Sequence, residues 1–180
     1  MSGGALSAVP SDVFRRLMSR WPTGVSVVTG RAKERDSGLT VNSLVSVSLE
    51  PPTLLVSLTE EAETSPVIRS SRWFGVTLLA HDQRAISERF ALQTTPEAKF
   101  AGLPLRRGPH GVALLEGGVA WYECRLKREV AVADHRLFIG EVQFAQAGSD
   151  VPPLVFYHSG YAERSEERSL LLPAPRADRA

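Results

Sequence analysis

The sequence has very little of several features that assign a chain to a large functional class. Its 180 residues include one cysteine, Cys124, which excludes an intramolecular disulfide and a cysteine-based zinc cluster. Lysine and arginine number 21 and aspartate and glutamate 20, a net charge of +1 that lacks the strong positive excess typical of nucleic-acid-binding proteins. No apolar run is long enough to span a bilayer. We therefore expect a cytoplasmic protein that binds neither nucleic acid nor membrane.

The common cofactor and catalytic motifs are missing as well. The sequence has no GxGxxG after a predicted strand, no GxxxxGK[ST], no HExxH and no GxSxG. The histidines lie far apart without metal-ligand spacing, so we expect no metal site. Residues 1–10 lack the basic start and apolar stretch of a secretory signal. Composition predicts a flexible N-terminal tail at 1–10, one domain at 11–163 and a C-terminal tail at 164–180.

The periodicity of apolar residues predicts many short strands and few helices. Residues 11–21 form an amphipathic helix begun by Ser11, with Phe14, Leu17, Met18 and Trp21 on one face. We predict further strands at 25–30, 53–58, 73–79, 119–132 and 137–145, helices at 64–72, 82–92 and 96–102, and a loop at 103–110. This pattern predicts an α+β, mainly β fold, an antiparallel β-barrel with short capping helices.

Residues 39–49 are the most informative stretch, because apolar side chains alternate with short hydroxyl and amide side chains. The alternation predicts one antiparallel strand with its apolar face in the core. The polar face includes Thr40, Asn42, Ser46 and Ser48 where an ordinary solvent face would have lysine or glutamate. Such groups suit the donor and acceptor edges of a planar heterocycle. A polar sheet face without any ligand is the alternative.

Two further positions are candidates for binding chemistry. Hydroxyl groups at 57, 59, 64 and 65, near a predicted helix start, are candidate donors to a phosphate. His135 lies beside Asp134 in a tight turn between two long strands, a position that favours functional side chains. Cys124 lies on the apolar face of its strand, so we interpret it as an inert core residue.

Eight short motifs in order resemble one known family over about residues 14–161. They are WPTGV at 21–25, GLTVNS at 38–43, SVSLEPP at 46–52, ISERFA at 86–91, KFAG at 99–102, DH at 134–135, IGEV at 139–142 and PLVFY at 153–157, with GY at 160–161. The chain resembles the short-chain flavin reductase family, whose members have the FMN-binding split β-barrel fold.

This resemblance implies an NAD(P)H:flavin oxidoreductase. Such a protein transfers a hydride from NADH or NADPH to FMN or FAD, is typically a homodimer, and supplies reduced flavin to a partner monooxygenase. Carried over by position, the cofactor-binding residues are Thr40, Asn42, Ser43, Ser57, Leu58, Thr59, Thr64, Ser87, Arg89 and Phe90. Asp134 and His135, with Tyr157 joining them, correspond to the nicotinamide-binding turn, and His135 is the candidate catalytic residue.

The sequence departs from the family at two positions. Ala133 replaces a glycine in a turn that requires positive φ. Ala62 replaces a hydroxyl residue two positions before Thr64, which weakens the phosphate site or shifts it to Ser65. Two rival functions remain: a flavin- or haem-binding split-barrel module without turnover, and an oxidase of the pyridoxamine-phosphate type with tightly bound FMN. A purely structural barrel is disfavoured by the polar face of residues 39–49.

Overall fold

The computed structural model describes residues 8–162, and the predicted tails lie outside this range except for residues 8–10. No helix in the described range is long and apolar enough to cross a membrane. The helices are α1 (Ser11–Met18), α2 (Thr64–Ser71), α3 (Arg84–Ala91) and α4 (Pro96–Phe100). The strands are β1 (Thr23–Gly24), β2 (Ser26–Ala32), β3 (Arg35–Val41), β4 (Val45–Leu49), β5 (Pro52–Thr59), β6 (Trp73–Leu78), β7 (Leu105–Arg107), β8 (Ala113–Leu115), β9 (Ala120–Val132), β10 (His135–Ala147), β11 (Val155–Tyr157) and β12 (Gly160–Tyr161).

The strands form a seven-stranded antiparallel sheet and two small sheets. The large sheet has the order β3-β2-β6-β9-β10-β5-β4, and the small sheets are β1-β11-β12 and β7-β8. The predicted class, mainly β with few helices and antiparallel pairing, is confirmed. The two edge strands of the large sheet, β3 and β4, are consecutive in the chain and are joined by only residues 42–44.

Apolar side chains form two separate clusters of buried residues. One cluster gathers side chains from β2, β3, β5, β6, β9, β10 and α2, and Phe74, Phe138 and Ile68 are among its fully buried members. The other packs Val27 and Leu79 against Phe90 of α3, with Leu115 of β8 and Leu154. Because both faces of the central strands are covered, β9 buries Trp121 and Glu123 on one face as well as Cys124 and Leu126 on the other.

The long β9–β10 hairpin closes through the tight turn predicted at residues 133–135. β9 ends at Val132, β10 begins at His135, and His135 pairs with Val132 across the turn. Ala133 has φ +50° and so adopts the left-handed conformation. The alanine therefore takes the positive φ for which the family has a glycine at this position. The backbone N–H of Glu60 donates to the Asp134 carbonyl, 2.9 Å away, and this bond ties the turn to the end of β5.

The prediction of one strand over residues 39–49 is wrong. β3 ends at Val41, and the chain then crosses to the opposite edge of the sheet, where β4 pairs with β5. A register shift between Ser46 and Ser48 interrupts the alternation. The apolar positions Val45, Val47 and Leu49, expected in the core, are 50%, 52% and 84% exposed. Alternation identifies two faces of a strand, but it cannot tell whether the apolar face meets the chain's own core.

Three local predictions also need correction. The helix predicted over residues 11–21 ends at Met18, and Ser11 lies inside it without a side-chain cap. Asp82 does not cap α3, which begins at Arg84; its N-cap residue, Gln83, accepts from the Ala80 N–H through its side chain instead. The predicted loop at 103–110 contains β7, because Leu105–Arg107 pairs with a strand that the sequence pattern did not identify.

Cys124 is buried between Phe74 and Gly140 in the first cluster. Its desolvation, followed by the nearby Glu123 carboxylate, raises the pKa of the thiol to about 12. The thiol is therefore neutral near pH 7 and is a packed apolar group, as its position in the strand predicted.

Gly140 has no side chain, and the Phe74 ring fills the space beside its backbone. A Cβ added at Gly140 would lie 2.5 Å from Phe74 Cζ and 2.8 Å from the Cβ of Cys124, well inside van der Waals contact. We expect Gly140→Ala to lower the free energy of unfolding by about 1–3 kcal/mol, the usual cost of overpacking a core. Urea denaturation followed by circular dichroism measures it. Gly160→Ala is the control, because the nearest atom to its added Cβ is 3.9 Å away; equal stability losses in both variants would contradict this packing.

Candidate functional site

A wide cleft lies between β3, the end of β5, the start of α2 and the segment that joins α3 to α4. Its volume is about 1170 Å³. Its walls include Ser37, Thr40, Thr59 and Thr64, together with Phe90 of α3 and Lys99 of α4. Four of the predicted cofactor-binding residues, at positions 40, 59, 64 and 90, therefore meet in one cavity although they come from four different elements of the fold.

Hydroxyl groups line this cleft and are held by specific hydrogen bonds. The buried hydroxyls of Ser37 and Thr64 are 2.8 Å apart and share a hydrogen bond between β3 and the first residue of α2. The Thr40 hydroxyl donates to the Ser87 carbonyl at 2.7 Å. Each hydroxyl keeps further hydrogen-bonding capacity after one such bond, so this wall offers fixed polar contacts to a ligand. Ser65, the alternative phosphate contact, is fully buried and does not line the cleft.

Lys99 adds a positive charge that the sequence analysis did not assign to the site. Its ammonium group donates to the Gly38 carbonyl at 3.3 Å and is partly buried. Desolvation lowers the pKa of Lys99, an effect that the Glu63 carboxylate opposes. A partly desolvated cation beside hydroxyl groups favours an anionic ligand. The signal was present in the KFAG motif at 99–102, but the motif by itself does not show where the lysine side chain lies.

Carboxylates also line the cleft, and the structure pairs two of them with arginines. Glu97 accepts from Arg35 at 2.6 Å across the cleft entrance. Asp36 accepts from Arg107 through both of its oxygens, at 2.6 Å and 2.8 Å, and also from Arg31. These pairings offset the negative charge that the cleft would otherwise present to an anion.

A second groove of about 700 Å³ lies between α1 and the segment that joins β3 to β4. Asn42 and Ser43 line this groove, and neither lines the cleft. The Ser43 hydroxyl donates to the Ser57 carbonyl at 2.7 Å and accepts from the Ser57 N–H at 3.2 Å, so these two predicted residues form one unit. The buried hydroxyl oxygen of Thr23, also in this groove, has no hydrogen-bond partner. Thr40 and Asn42 are therefore only two positions apart in the chain, yet they line different cavities.

Three predicted contacts have side chains that are already engaged elsewhere. The Leu58 side chain is buried in the first apolar cluster, so only its backbone can meet a ligand. Arg89 donates to the carbonyls of Ala98 and Ala101, and so joins α3 to the end of α4. The buried Ser87 hydroxyl shares a hydrogen bond with the Tyr161 hydroxyl at 2.9 Å.

The turn with Asp134 and His135 lies beside the β5 end of the cleft. His135 pairs in register with Thr59, and its Nδ1 is 2.8 Å from an Asp134 carboxylate oxygen. The hydrogen bond from His135 is the main cause that lowers the pKa of Asp134 below its ordinary value. Tyr157 belongs to the β1-β11-β12 sheet, next to the end of α1, and is not brought to this turn within one chain.

The residues of the cleft fit a phosphorylated flavin. A flavin needs hydrogen-bonding groups along its ring and ribityl chain and compensation for its phosphate charge. The hydroxyl wall and Lys99 provide groups of both kinds, and Phe90 provides an apolar border.

Comparison with known proteins gives a consistent result. A family model described as "Flavin reductase like domain" matches residues 18–165. The flavin reductase of Pseudomonas putida is 38% identical over 157 residues, covering 86% of this chain and 91% of that protein. The reductase component of 4-hydroxyphenylacetate 3-monooxygenase from Thermus thermophilus is 35% identical, covering 83% and 94% of the two chains.

A solved structure agrees with these sequence relationships. The NADH:FAD oxidoreductase of Streptomyces globisporus, in complex with NAD and FAD fragments, superposes with a TM-score of 0.82 at 28% identity, covering 92% of this chain and 100% of that one. The family model spans most of this chain, and the two relatives align with this chain over nearly their whole lengths. This chain belongs to the flavin reductase-like family.

Proposed function

We propose that this protein is an NAD(P)H-dependent flavin reductase that uses NADH or NADPH to reduce FMN or FAD. The observation that supports the proposal most directly is the cleft in which the Ser37–Thr64 hydroxyl pair and the ammonium group of Lys99 lie together. Relatives named flavin reductase and monooxygenase reductase component support the same activity. The partner is then a flavin-dependent monooxygenase that consumes the reduced flavin, and the cytoplasmic location stays a prediction from the sequence.

The protein's own residues bind and orient rather than exchange protons. The bound flavin supplies the hydride-accepting ring, and the nicotinamide nucleotide supplies the hydride. Thr40, Ser37 and Thr64 would hold the polar parts of the flavin, and Lys99 would compensate its phosphate charge. Asn42 and Ser43 extend the contacts toward the second groove. By holding the two reactants in a fixed relative orientation, these residues would supply part of the rate increase of such a reaction.

The curvature of the large sheet explains where the cleft lies, and we propose that the sheet forms a split barrel. Residues 42–44 connect its two edge strands, so Val41 and Val45 are separated by on the order of 14 Å at most. The edges must approach each other there. Beyond this point β3 and the end of β5 both border the cleft, which matches the opening of a split barrel.

A second copy of the chain is the proposed partner of the exposed apolar face of α1. Phe14, Leu17, Met18 and Trp21 are 48–67% exposed, and three of them line the second groove together with Val45 of β4. A continuous apolar surface of this kind is typical of a subunit interface. A homodimer through this face would cover the second groove and enclose Asn42 and Ser43.

The first experiment is a steady-state assay of NADH and NADPH oxidation with FMN, FAD and riboflavin. We expect turnover with at least one pair, and we expect Lys99→Met to raise the KM for FMN by roughly tenfold, because a partly buried charge-assisted contact is lost. Lys127→Met is the control, since Lys127 pairs with Glu141 outside the cleft.

Absence of NAD(P)H oxidation with all three flavins would reject the reductase. Binding without turnover would favour the non-catalytic module, and a yellow protein as purified would favour the tightly FMN-bound oxidase.

The role of His135 is tested by the variant His135→Ala. Because His135 lies beside the β5 end of the cleft and pairs with an ionised Asp134, we expect the KM for NADH to rise several-fold. The dissociation constant for flavin, measured by fluorescence quenching, should change less. His81→Ala provides the comparison, because His81 lies between β6 and α3 and does not line the cleft. Unchanged NADH kinetics in His135→Ala would remove this residue from the nicotinamide site.

The dimer proposal predicts the mass of the protein in solution. Light scattering should give twice the 19.6 kDa of one chain. The double variant Leu17→Ser and Trp21→Ser should shift the mass toward one chain, because it removes apolar area from the interface. Leu92→Ser is the control, since Leu92 is also exposed but does not line the second groove. A monomeric wild-type protein would contradict the proposed interface.

A further inference from the structure

The β7–β8 hairpin reaches the cleft wall through an arginine that the proposed function leaves without a role. Arg107 of this hairpin holds both carboxylate oxygens of Asp36, at 2.6 Å and 2.8 Å. Asp36 lines the cleft directly before Ser37, whose hydroxyl bonds to that of Thr64. The hairpin therefore contacts a wall of the cleft in which the proposed function places the flavin.

An unpaired Asp36 would oppose the binding of an anion. Its carboxylate lines the same cleft as Thr64 and Lys99, and like charges within one cavity repel each other. Two guanidinium groups surround it, because Arg31 also donates to Asp36, at 3.2 Å and 3.3 Å. Arg31 also pairs with Glu34, so two arginines balance two carboxylates, and the bidentate contact from Arg107 fixes the direction of the Asp36 side chain.

Buried hydrogen bonds hold the hairpin rigidly against the large sheet. The Thr29 hydroxyl donates to the Ala113 carbonyl at 2.5 Å, and the Leu115 N–H donates to the Thr77 hydroxyl at 3.0 Å. The Trp121 indole N–H donates to the Leu115 carbonyl at 2.6 Å. Three neighbouring strands, β2, β6 and β9, thus fix β8, which pairs with β7 and so positions Arg107.

A buried carboxylate fixes the loop of the hairpin. Glu123 of β9 is fully buried and accepts from the backbone N–H groups of His110 at 2.9 Å and Val112 at 3.1 Å. A Cβ at Gly108 would lie 2.6 Å from the Glu123 carboxylate, so this position needs glycine. The His110 ring stacks on Trp73 with centroids 3.5 Å apart. These contacts give the loop one conformation, and Arg107 comes directly before it.

We propose that Arg107, held in place by the hairpin, is a positioning residue that neutralises Asp36 and so sets the affinity of the cleft for the phosphate group of the flavin. This inference rests on the proposed function. It predicts that the loss of Arg107 weakens the binding of phosphorylated flavins and leaves the reaction of the bound flavin unchanged. If Arg107 had only a structural role, its loss would weaken the binding of FMN and of riboflavin, which lacks the phosphate, to the same extent.

The test compares Arg107→Gln with Arg106→Gln, a matched control in the same strand. Arg106 lies over the Trp121 ring and pairs with Glu116, and it does not line the cleft. We expect Arg107→Gln to raise the KM and the dissociation constant for FMN by roughly three- to tenfold, with kcat at saturating FMN within about twofold of wild type. The KM for riboflavin should stay unchanged, and Arg106→Gln should behave as wild type.

A double variant tests whether Arg107 acts through Asp36. In the Asp36→Asn background the repelling carboxylate is absent, so adding Arg107→Gln should not raise the KM for FMN further. An equal rise in the KM for riboflavin, or a full effect of Arg107→Gln in that background, would overturn the proposal. If Arg107→Gln does not fold, Arg107→Lys, which keeps the charge that neutralises Asp36, is expected to keep the dissociation constant for FMN within about twofold of wild type; a rise that is equal for FMN and riboflavin would overturn the proposal.

The binding measurement separates this inference from the proposed function. Flavin fluorescence quenching reports the dissociation constant for FMN without any turnover. A wild-type protein that binds FMN but oxidises no nicotinamide nucleotide rejects the reductase, and the comparison of Arg107→Gln with wild type still decides the role of Arg107. A wild-type protein that binds no flavin rejects both.

Discussion

The connection between the two edge strands of the large sheet constrains the rest of the structure. β3 and β4 lie at opposite ends of a seven-stranded order, yet only residues 42–44 separate them. A sheet with this connectivity cannot remain flat, because a three-residue segment has a short reach. The curvature brings β3 toward the end of β5, and both strands border the cleft. The same segment exposes Asn42 and Ser43 on the side of α1. The positions of the cleft and of the second groove therefore follow from this connection.

The charges around the cleft show that the pairing of charged side chains, and not their number alone, sets the local electrostatic balance. Four carboxylates, Asp36, Glu61, Glu63 and Glu97, line the cleft, more than its three cationic side chains. Pairing changes this balance, since Arg35 holds Glu97 and Arg107, from outside the cleft, holds Asp36. Lys99 donates to a carbonyl and is influenced by the Glu63 carboxylate. A local arrangement of this kind is not visible in a net charge of +1. The affinity of the site for a charged ligand depends on which charged side chains contact each other, and less on the net charge of the protein.

Within the described residues, the buried carboxylate of Glu123 has a structural function. Glu123 is fully buried among apolar residues, where an isolated carboxylate would be strongly unfavourable. Its oxygens accept two backbone N–H bonds and contact His110, so the cost of desolvation is offset by the hydrogen bonds of a loop that has few others. The loop then belongs to a hairpin fixed on three strands. A buried polar group here specifies the conformation of a surface segment that reaches the cleft.

The sequence by itself determined the class of fold, most helices and strands, the tight turn at Asp134, the buried thiol and the family motifs, because these depend on local periodicity and on residue types at short spacing. The tertiary structure alone decided which edge each half of residues 39–49 joins, since the alternation is the same for a buried and an exposed apolar face. It also decided that Lys99 lines the cleft and that Arg107 meets Asp36, 71 positions away in the chain. Such contacts arise from the path of the backbone between distant residues, and no local pattern encodes them.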